Sequence, residues 1–392
     1  MISQVHKTVI LNGTIITPFQ YLQDRMMMIK EGKIVTITDR KEDLSTLKNV
    51  EIIEARDKYI VPGFIDIHVH GGGGADVMDG EYKSIKQIAL THSRFGTTAF
   101  LPTTMTMSKE KIIKSLQSVN EAKTKGTGAA EILGVHLEGP YINPEKKGAQ
   151  KEEDIKKCSI EEFLAFNQAS ENLIRLVTIA PEMPGAIELI RWLQQQDIIV
   201  SAGHTNATYQ QMQEAIKAGL THITHLFNAM RGLHHREPGV VGAALSEDGV
   251  TTEVIADGIH IHPIILKMIH HIKGARKVVL VTDAMRATGL SEGIYDLGGQ
   301  EAMVKGGKAK LQDGTLAGSV LTMNKAVHKM VTKAGIPLPE AVQMVSYNPA
   351  KLLGIADKKG TLEQGKDADI VILNKNFETE LTMVSGNIVY KR

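Results

Sequence analysis

Between Tyr59 and about Leu353 the chain repeats one unit: a short apolar run that reads as a buried strand, followed by an amphipathic helical pattern. The runs fall at 60–68, Thr97–Pro102, Glu131–Glu138, Arg175–Ala180, Asp197–Ala202, His222–Phe227, Thr252–Ala256 and Lys277–Thr282. Helical spacing of apolar residues occupies the intervals, for example Ile85–Phe95, Lys109–Thr124 and Thr208–Ala218. Strands apolar on both faces, alternating with helices, imply a parallel sheet covered on its faces. About eight such units in roughly 250 residues favour an α/β fold of the (β/α)8 TIM-like barrel type. An open doubly wound sheet is the alternative.

The two ends of the chain have another rhythm. Residues 7–55 and Gly360–Tyr390 alternate short apolar runs with turn pairs such as Asn12-Gly13 and Glu31-Gly32. Residues 1–57 and 354–392 are therefore expected to form one small β-sandwich domain, with 58–353 as the barrel. Gly293–Ala317 breaks the strand–helix alternation and reads as an insertion after the eighth strand.

The chain of 392 residues carries 45 Lys+Arg against 44 Asp+Glu, so no global field draws it to nucleic acid or an anionic membrane. Any anionic substrate must be held by a local site. Cys158 is the single cysteine, which excludes an intramolecular disulfide and a cysteine metal cage and fits a reducing cytoplasm. The first residues show no charged segment followed by an apolar core, so no secretory signal is expected.

The chemistry concentrates at strand ends, where a barrel of this kind builds its active site. Val61-Pro-Gly-Phe-Ile-Asp-Ile-His-Val-His70 runs into four glycines. Side chains alternate along a strand, so His68 and His70 lean to the same face, close enough to share one ion. The other strand ends supply Glu138, His204, His225 and Asp283. Together these six nitrogen and oxygen ligands suit one or two divalent transition ions, and gathering them without a cation would cost several kcal/mol per uncompensated charge, as an order of magnitude. By the same alternation His136 shares the face of Glu138 as a supporting group, His222 lies opposite His225 as a structural residue, and His270-His271 ends a helix at the surface. Asn228-Ala-Met230, Arg236 and His260 follow strands six and seven and could meet an anion.

With Pro62-Gly-Phe-Ile-Asp-x-His-x-His70, His136-Leu-Glu-Gly-Pro140, Gly203-His204, His225-Leu-Phe-Asn-Ala-Met230, Arg236-Glu-Pro-Gly239 and Val281-Thr-Asp-Ala284 in order, the whole chain resembles the N-acetylglucosamine-6-phosphate deacetylase family of the amidohydrolase superfamily. The resemblance implies hydrolysis of the acetamide of an amino-sugar phosphate, and a homodimer whose neighbouring subunit helps hold the phosphate. It implies that Glu138, His204 and His225 hold the ion every member needs, that His68 and His70 add a second with Glu138 bridging, and that Asp283 is the catalytic base and acid. Zinc, iron, manganese and cobalt all fit such ligands; a bound ion can lower the pKa of water to about 7, giving hydroxide as the nucleophile. Asn228, Ala229, Arg236 and His260 match substrate and phosphate contacts. Gln150 stands where some members carry a substrate-contacting histidine, so that contact becomes an amide hydrogen bond or is lost.

Two rival readings fit the same scaffold. Cyclic amidases of the dihydroorotase or allantoinase kind bridge two ions with a carbamylated lysine at the fourth strand, but here that strand ends Val177-Thr-Ile-Ala-Pro-Glu182 without one. A non-catalytic assembly protein on the same scaffold would have lost ligands that this chain keeps.

Overall fold

The computed structural model describes residues 7–39 and 50–392. The readings made for residues 1–6, including the absence of a secretory signal, and for the stretch 40–49 of the terminal module lie outside the described residues.

Eight parallel strands follow one another among the described residues: β1 Phe64–Val69, β2 Thr97–Pro102, β3 Val135–Glu138, β4 Ile174–Ile179, β5 Ile199–Ala202, β6 His222–Ile223, β7 Thr251–Ile255 and β8 Val278–Val281. They form two arcs. β1 pairs with β2, while β3 through β8 make one continuous parallel sheet of six strands. The arcs meet through single bridges, Thr103 with His136 and Val69 with Ala284, so the TIM-like arrangement is held at its seams by isolated contacts instead of ladders. The β8–β1 seam gains a side-chain link, because the Thr282 hydroxyl donates to the buried Asp66 carboxylate over 2.6 Å. Strands β1, β2, β3 and β8 are buried along their whole length, as expected of strands covered on both faces.

The helices between strands begin where local chemistry satisfies their free N–H groups. Thr208 and Gln211 form a reciprocal capping box ahead of Tyr209–Ala218, Ser159 accepts from the Glu162 amide, and Pro263 occupies the first turn of Pro263–Lys273. Ala186, Leu189, Ile190 and Leu193 are the buried apolar positions of Ala186–Gln195, at the spacing of one helical face.

The terminal segments form two sheets that share an apolar core. One, of four strands, runs Lys33–Thr38, Met26–Lys30, Lys7–Leu11, Val50–Glu54; the other, of six, runs Asn387–Lys391, Thr379–Val384, Ile370–Leu373, Tyr59–Pro62, Thr14–Ile16, Tyr21–Leu22. Ile10, Met27, Ile34, Ile60, Ile370 and Met383 belong to that core, while Val61, Val371 and Leu373 pack on the barrel side. Among the described residues no helix is long and apolar enough to cross a membrane.

Three expected strands depart most from their apolar runs. The run 60–68 is two strands, Tyr59–Pro62 in the terminal sheet and β1 in the barrel, divided at Gly63. Glu131–Glu138 likewise splits into Glu131–Ile132, paired with β2, and β3. The sixth strand stops at Ile223, so His225 lies in the turn that follows and strand alternation does not decide where it points. The expected insertion is a three-stranded antiparallel sheet, Gly293–Leu297, Gln300–Lys305 and Lys308–Lys310, with Leu297, Ala302, Val304 and Ala309 turned inward.

Gly63 is the pivot between the two sheets. A Cβ there would sit 2.1 Å from Thr98 Oγ1 and 2.5 Å from its Cγ2, inside a fully buried strand. Gly63→Ala is expected to destabilise the protein by about 1–3 kcal/mol, the range for overpacking. A denaturant midpoint equal to that of the unaltered protein would contradict this placement.

Candidate metal-dependent active site

Six side chains from five strand ends converge at the C-terminal end of the barrel. Glu138, at the end of β3, is the hub. Its Oε1 lies 3.2 Å from His204 Nε2, 3.2 Å from His225 Nε2 and 3.4 Å from His68 Nε2. Its Oε2 lies 3.2 Å from His70 Nε2. His204 and His225 face each other across 3.2 Å, and so do His68 and His70. Asp283 Oδ1 completes the second group at 3.3 Å from His70 Nε2 and 3.5 Å from His68 Nε2. All six residues are buried.

The strand ends reach the axis at a conformational cost. His204, His225 and Asp283 have φ of 47°, 28° and 50°. Left-handed backbone at residues other than glycine costs on the order of 1–3 kcal/mol and persists where the surroundings impose it. Here they do. The Asp283 amide donates to the His68 carbonyl at 3.0 Å, and the carbonyl of His204 accepts from the Asn143 amide at 2.9 Å. Glu182, which ends the fourth-strand segment, accepts from Asn143 Nδ2, the Thr205 hydroxyl and the Asn206 amide at 2.8, 2.5 and 2.5 Å, locking the turn beyond His204.

Ring orientation is decided by what each Nδ1 meets. His68 Nδ1 faces Glu253 Oε2 at 3.0 Å, His70 Nδ1 faces the Thr103 carbonyl at 3.2 Å, and His204 Nδ1 faces the Lys146 carbonyl at 3.0 Å. An acceptor opposite Nδ1 puts the proton there and leaves Nε2 as a lone-pair donor, the arrangement metal-ligating histidines use. His225 Nδ1 has no hydrogen-bond partner among the described residues.

This donor set fits a divalent cation. Ligand atoms about 2.0–2.1 Å from one tetrahedral ion lie roughly 3.3 Å from each other, close to the spacing within Glu138, His204 and His225 and within His68, His70 and Asp283. Both are groups that could hold an ion. The electrostatics agree. Burial raises the Glu138 carboxyl, but His68, His204 and His225 outweigh it and hold it well below the usual range. Burial lowers the His70 imidazole, yet hydrogen bonds to Asp283 and Glu138 push it up to about 9. The carboxylates thus favour positive charge at the point where the imidazoles converge.

The site floors a cavity of about 380 Å³. His70, Glu138, Gln150, His204, His225 and Asp283 line it together with Asn228, Ala229 and His260, and the insertion contributes Leu297 and Leu316. His260 Nδ1 is held 2.7 Å from Asp257 Oδ2, leaving Nε2 as its free ring nitrogen. Gln150 lines the cavity, but its amide is already engaged: Nε2 donates to Glu138 Oε2 at 3.0 Å and Oε1 accepts from the Thr106 amide at 2.7 Å. Arg236 is exposed, hydrogen-bonds the His235 ring and is not among the residues lining the cavity.

Among the other histidines, His136 is buried with both ring nitrogens engaged, by the Ile67 carbonyl and the Thr178 hydroxyl, and its ring packs edge-on against His68. Burial and the nearby His68 push it down to about 3, as suits a neutral supporting group. His222 is structural, though it is no bystander on an opposite face: it bonds Glu253, the same carboxylate that holds His68. His270 meets Glu340 at the surface. Sequence reasoning missed Glu253, Asp66, Asp257 and Glu182. The signal for the first two was a lone carboxylate inside an apolar barrel strand, which is too costly to bury without a partner.

Replacing Gln150 with Leu strips the buried Thr106 amide of its acceptor and removes one of the donors to Glu138 Oε2. Unfolding stability should fall by about 1–3 kcal/mol, the usual cost of a buried group left unsatisfied; an unchanged denaturation midpoint would show that the amide bonds are not formed in solution.

Comparison with known proteins follows the same lines. Residues 59–389 match the model of the amidohydrolase family. The N-acetylglucosamine-6-phosphate deacetylase of Bacillus subtilis (strain 168) is 43% identical over 379 residues, covering 96% of this chain and 95% of the relative. An N-acetylgalactosamine-6-phosphate deacetylase of Escherichia coli O157:H7 is 37% identical, covering 95% of this chain and 97% of its own. Among solved structures, a variant of N-acetyl-D-glucosamine-6-phosphate deacetylase from Mycobacterium smegmatis in complex with N-acetyl-D-glucosamine-6-phosphate superposes with a TM-score of 0.91 at 31% identity, over 99% of this chain and 100% of that one. The chain belongs to the amidohydrolase family, in the branch of the N-acetylglucosamine-6-phosphate deacetylases.

Proposed function

We propose that this protein is a metal-dependent deacetylase. It hydrolyses the acetamide of N-acetyl-D-glucosamine 6-phosphate to D-glucosamine 6-phosphate and acetate, in the breakdown or recycling of amino sugars. The observation that carries this reading is the pair of facing ligand groups joined by Glu138 on the floor of the cavity.

Glu138, His204 and His225 would hold one divalent ion, and His68, His70 and Asp283 a second, with Glu138 between them; zinc, iron, manganese or cobalt would suit these ligands. Such an ion, when bound, supplies Lewis acidity that polarises a carbonyl and lowers the pKa of water. The chain's own residues do the rest. Asp283 takes a proton from water as the oxygen–carbon bond forms and gives it to the amide nitrogen as the carbon–nitrogen bond breaks, so the nitrogen departs as an amine and the acid product ionises. Burial raises the Asp283 carboxyl, but His68 and His70 outweigh that effect and keep it below the usual range, hence ionised and able to accept a proton.

Asn228, Ala229 and His260 form the wall suited to the sugar and its phosphate. Ala229 has a left-handed backbone with φ of 48°, of the kind that turns successive amides toward an anion. Arg236 fits a contact made to a second copy. Leu233 beside it is 59% exposed, and Ile264, Met268 and Ile272 place three exposed apolar side chains on one stripe of Pro263–Lys273. In a homodimer that covers this stripe Arg236 would be free to serve the partner's phosphate, as the family resemblance implies. A reducing cytoplasm suits the single thiol and a phosphorylated sugar substrate.

Acetate release from N-acetylglucosamine 6-phosphate should require a divalent ion, being lost on chelation and restored on metal addition. Asp283→Asn should lower kcat by about 10²–10⁴-fold, the range for removing a general acid–base, while calorimetry still detects the sugar phosphate and elemental analysis still finds bound metal, as retention by Glu138, His204 and His225 requires. Near-normal turnover would remove the proposed mechanism. The galactosamine epimer belongs in the same assay, since a relative bears that activity in its name.

Met268→Lys should shift the protein to monomer in sedimentation, and Arg236→Ala should raise KM for the phosphorylated sugar with little change in kcat. A monomeric unaltered protein would contradict the dimer.

A further inference from the structure

Glu253 lies in the middle of β7 and is completely buried. It is not among the residues that line the cavity. Its carboxylate instead stands behind the site. Oε2 faces His68 Nδ1 at 3.0 Å and accepts the backbone N–H of His225 at 3.1 Å, while Oε1 faces His222 Nε2 at 3.2 Å. His222 is fixed in turn by the Thr251 hydroxyl, 2.6 Å from its Nδ1.

The asymmetry between the two ligand groups gives this arrangement its meaning. The rings of His70 and His204 are oriented by backbone carbonyls, which are neutral acceptors. His68 alone among the ring ligands is backed by a carboxylate. A negative charge on the far nitrogen fixes the tautomer and raises the basicity of Nε2, so it strengthens the metal bond of that ring selectively. Such a charge in a fully buried strand is costly unless paired, and His222 with Thr251 supplies the pairing.

We propose that Glu253 is a positioning residue for the His68, His70 and Asp283 site: it acts through His68 to set the affinity of the second ion, and with His222 forms a buried relay that decides whether the centre is filled once or twice. This rests on the two-ion reading given above.

The test is calorimetric titration of zinc into the full-length, chelator-stripped protein, with circular dichroism confirming the fold of each variant. The unaltered protein should take up two equivalents. Glu253→Gln should keep one equivalent at its original affinity and weaken the other by about 10–100-fold, the effect typical of losing such a partner. In a His68→Asn background, adding Glu253→Gln should change zinc affinity by less than about threefold, because a residue that acts through His68 has nothing left to act on. A second equivalent bound as in the unaltered protein overturns the inference. So does equal weakening of both equivalents, the mark of a merely structural role, or a further loss in the double variant. Should Glu253→Gln fail to fold, Glu253→Asp, which keeps the charge but withdraws it by one methylene, is read by the same criteria. Uptake of a single equivalent by the unaltered protein overturns the two-ion reading itself, an outcome distinct from two equivalents that ignore Glu253.

Discussion

The Glu138 carboxylate is the interaction on which the rest of the site depends. It is buried, ionised and within 3.2–3.4 Å of four imidazole nitrogens that come from three other strand ends. A single anion in that position would be expensive in a dry barrel. Four rings that offer it their Nε2 atoms, each aimed from behind or by a constrained turn, turn that cost into a binding site for positive charge. Gln150 adds a neutral donor to the same carboxylate, fixing the plane in which its two oxygens are presented.

The scaffold meets this demand by holding the strand ends in conformations they would not adopt alone. His204, His225 and Asp283 share left-handed backbone, and each lies where a barrel strand has just stopped. The strain is balanced by hydrogen bonds that cross between neighbouring strand ends, those of Asn143 and Glu182 around His204 and that of the Asp283 amide to the His68 carbonyl across the β8–β1 seam. That seam has no continuous ladder, only a few backbone hydrogen bonds around Ala284, and the Asp66–Thr282 bond reinforces it two residues from His68. Fold stability and site geometry therefore draw on the same contacts. The insertion Gly293–Ala317 closes one side of the cavity and is fastened to the loop that carries Gln150, since Gln300 donates to the Ala149 carbonyl at 2.7 Å.

Much of this was legible in the residues because the information is local. Strand alternation brings His68 and His70 to one face, and the repeated strand–helix rhythm indicates a barrel whose strand ends would meet. The failures are equally physical. Apolar runs cannot reveal where a strand passes from one sheet to another, so 60–68 read as one strand although Gly63 divides it between the terminal sheet and the barrel. Alternation cannot relate His222 to His225, because β6 ends at Ile223 and the turn that places His225 is set by tertiary contacts. The bonds of Gln150 to Glu138 and Thr106 were not legible, since those partners are 12 and 44 positions away and only the resemblance spoke for this residue. Glu253 escaped notice for the same reason, being 185 positions from His68.

The most direct measurement is a crystal structure of the zinc-loaded protein with the ions located by anomalous scattering. Two peaks are expected, one among Glu138, His204 and His225 and one among His68, His70 and Asp283, with the Glu138 carboxylate between them. A single peak, or ions bound away from Glu138, would contradict the account.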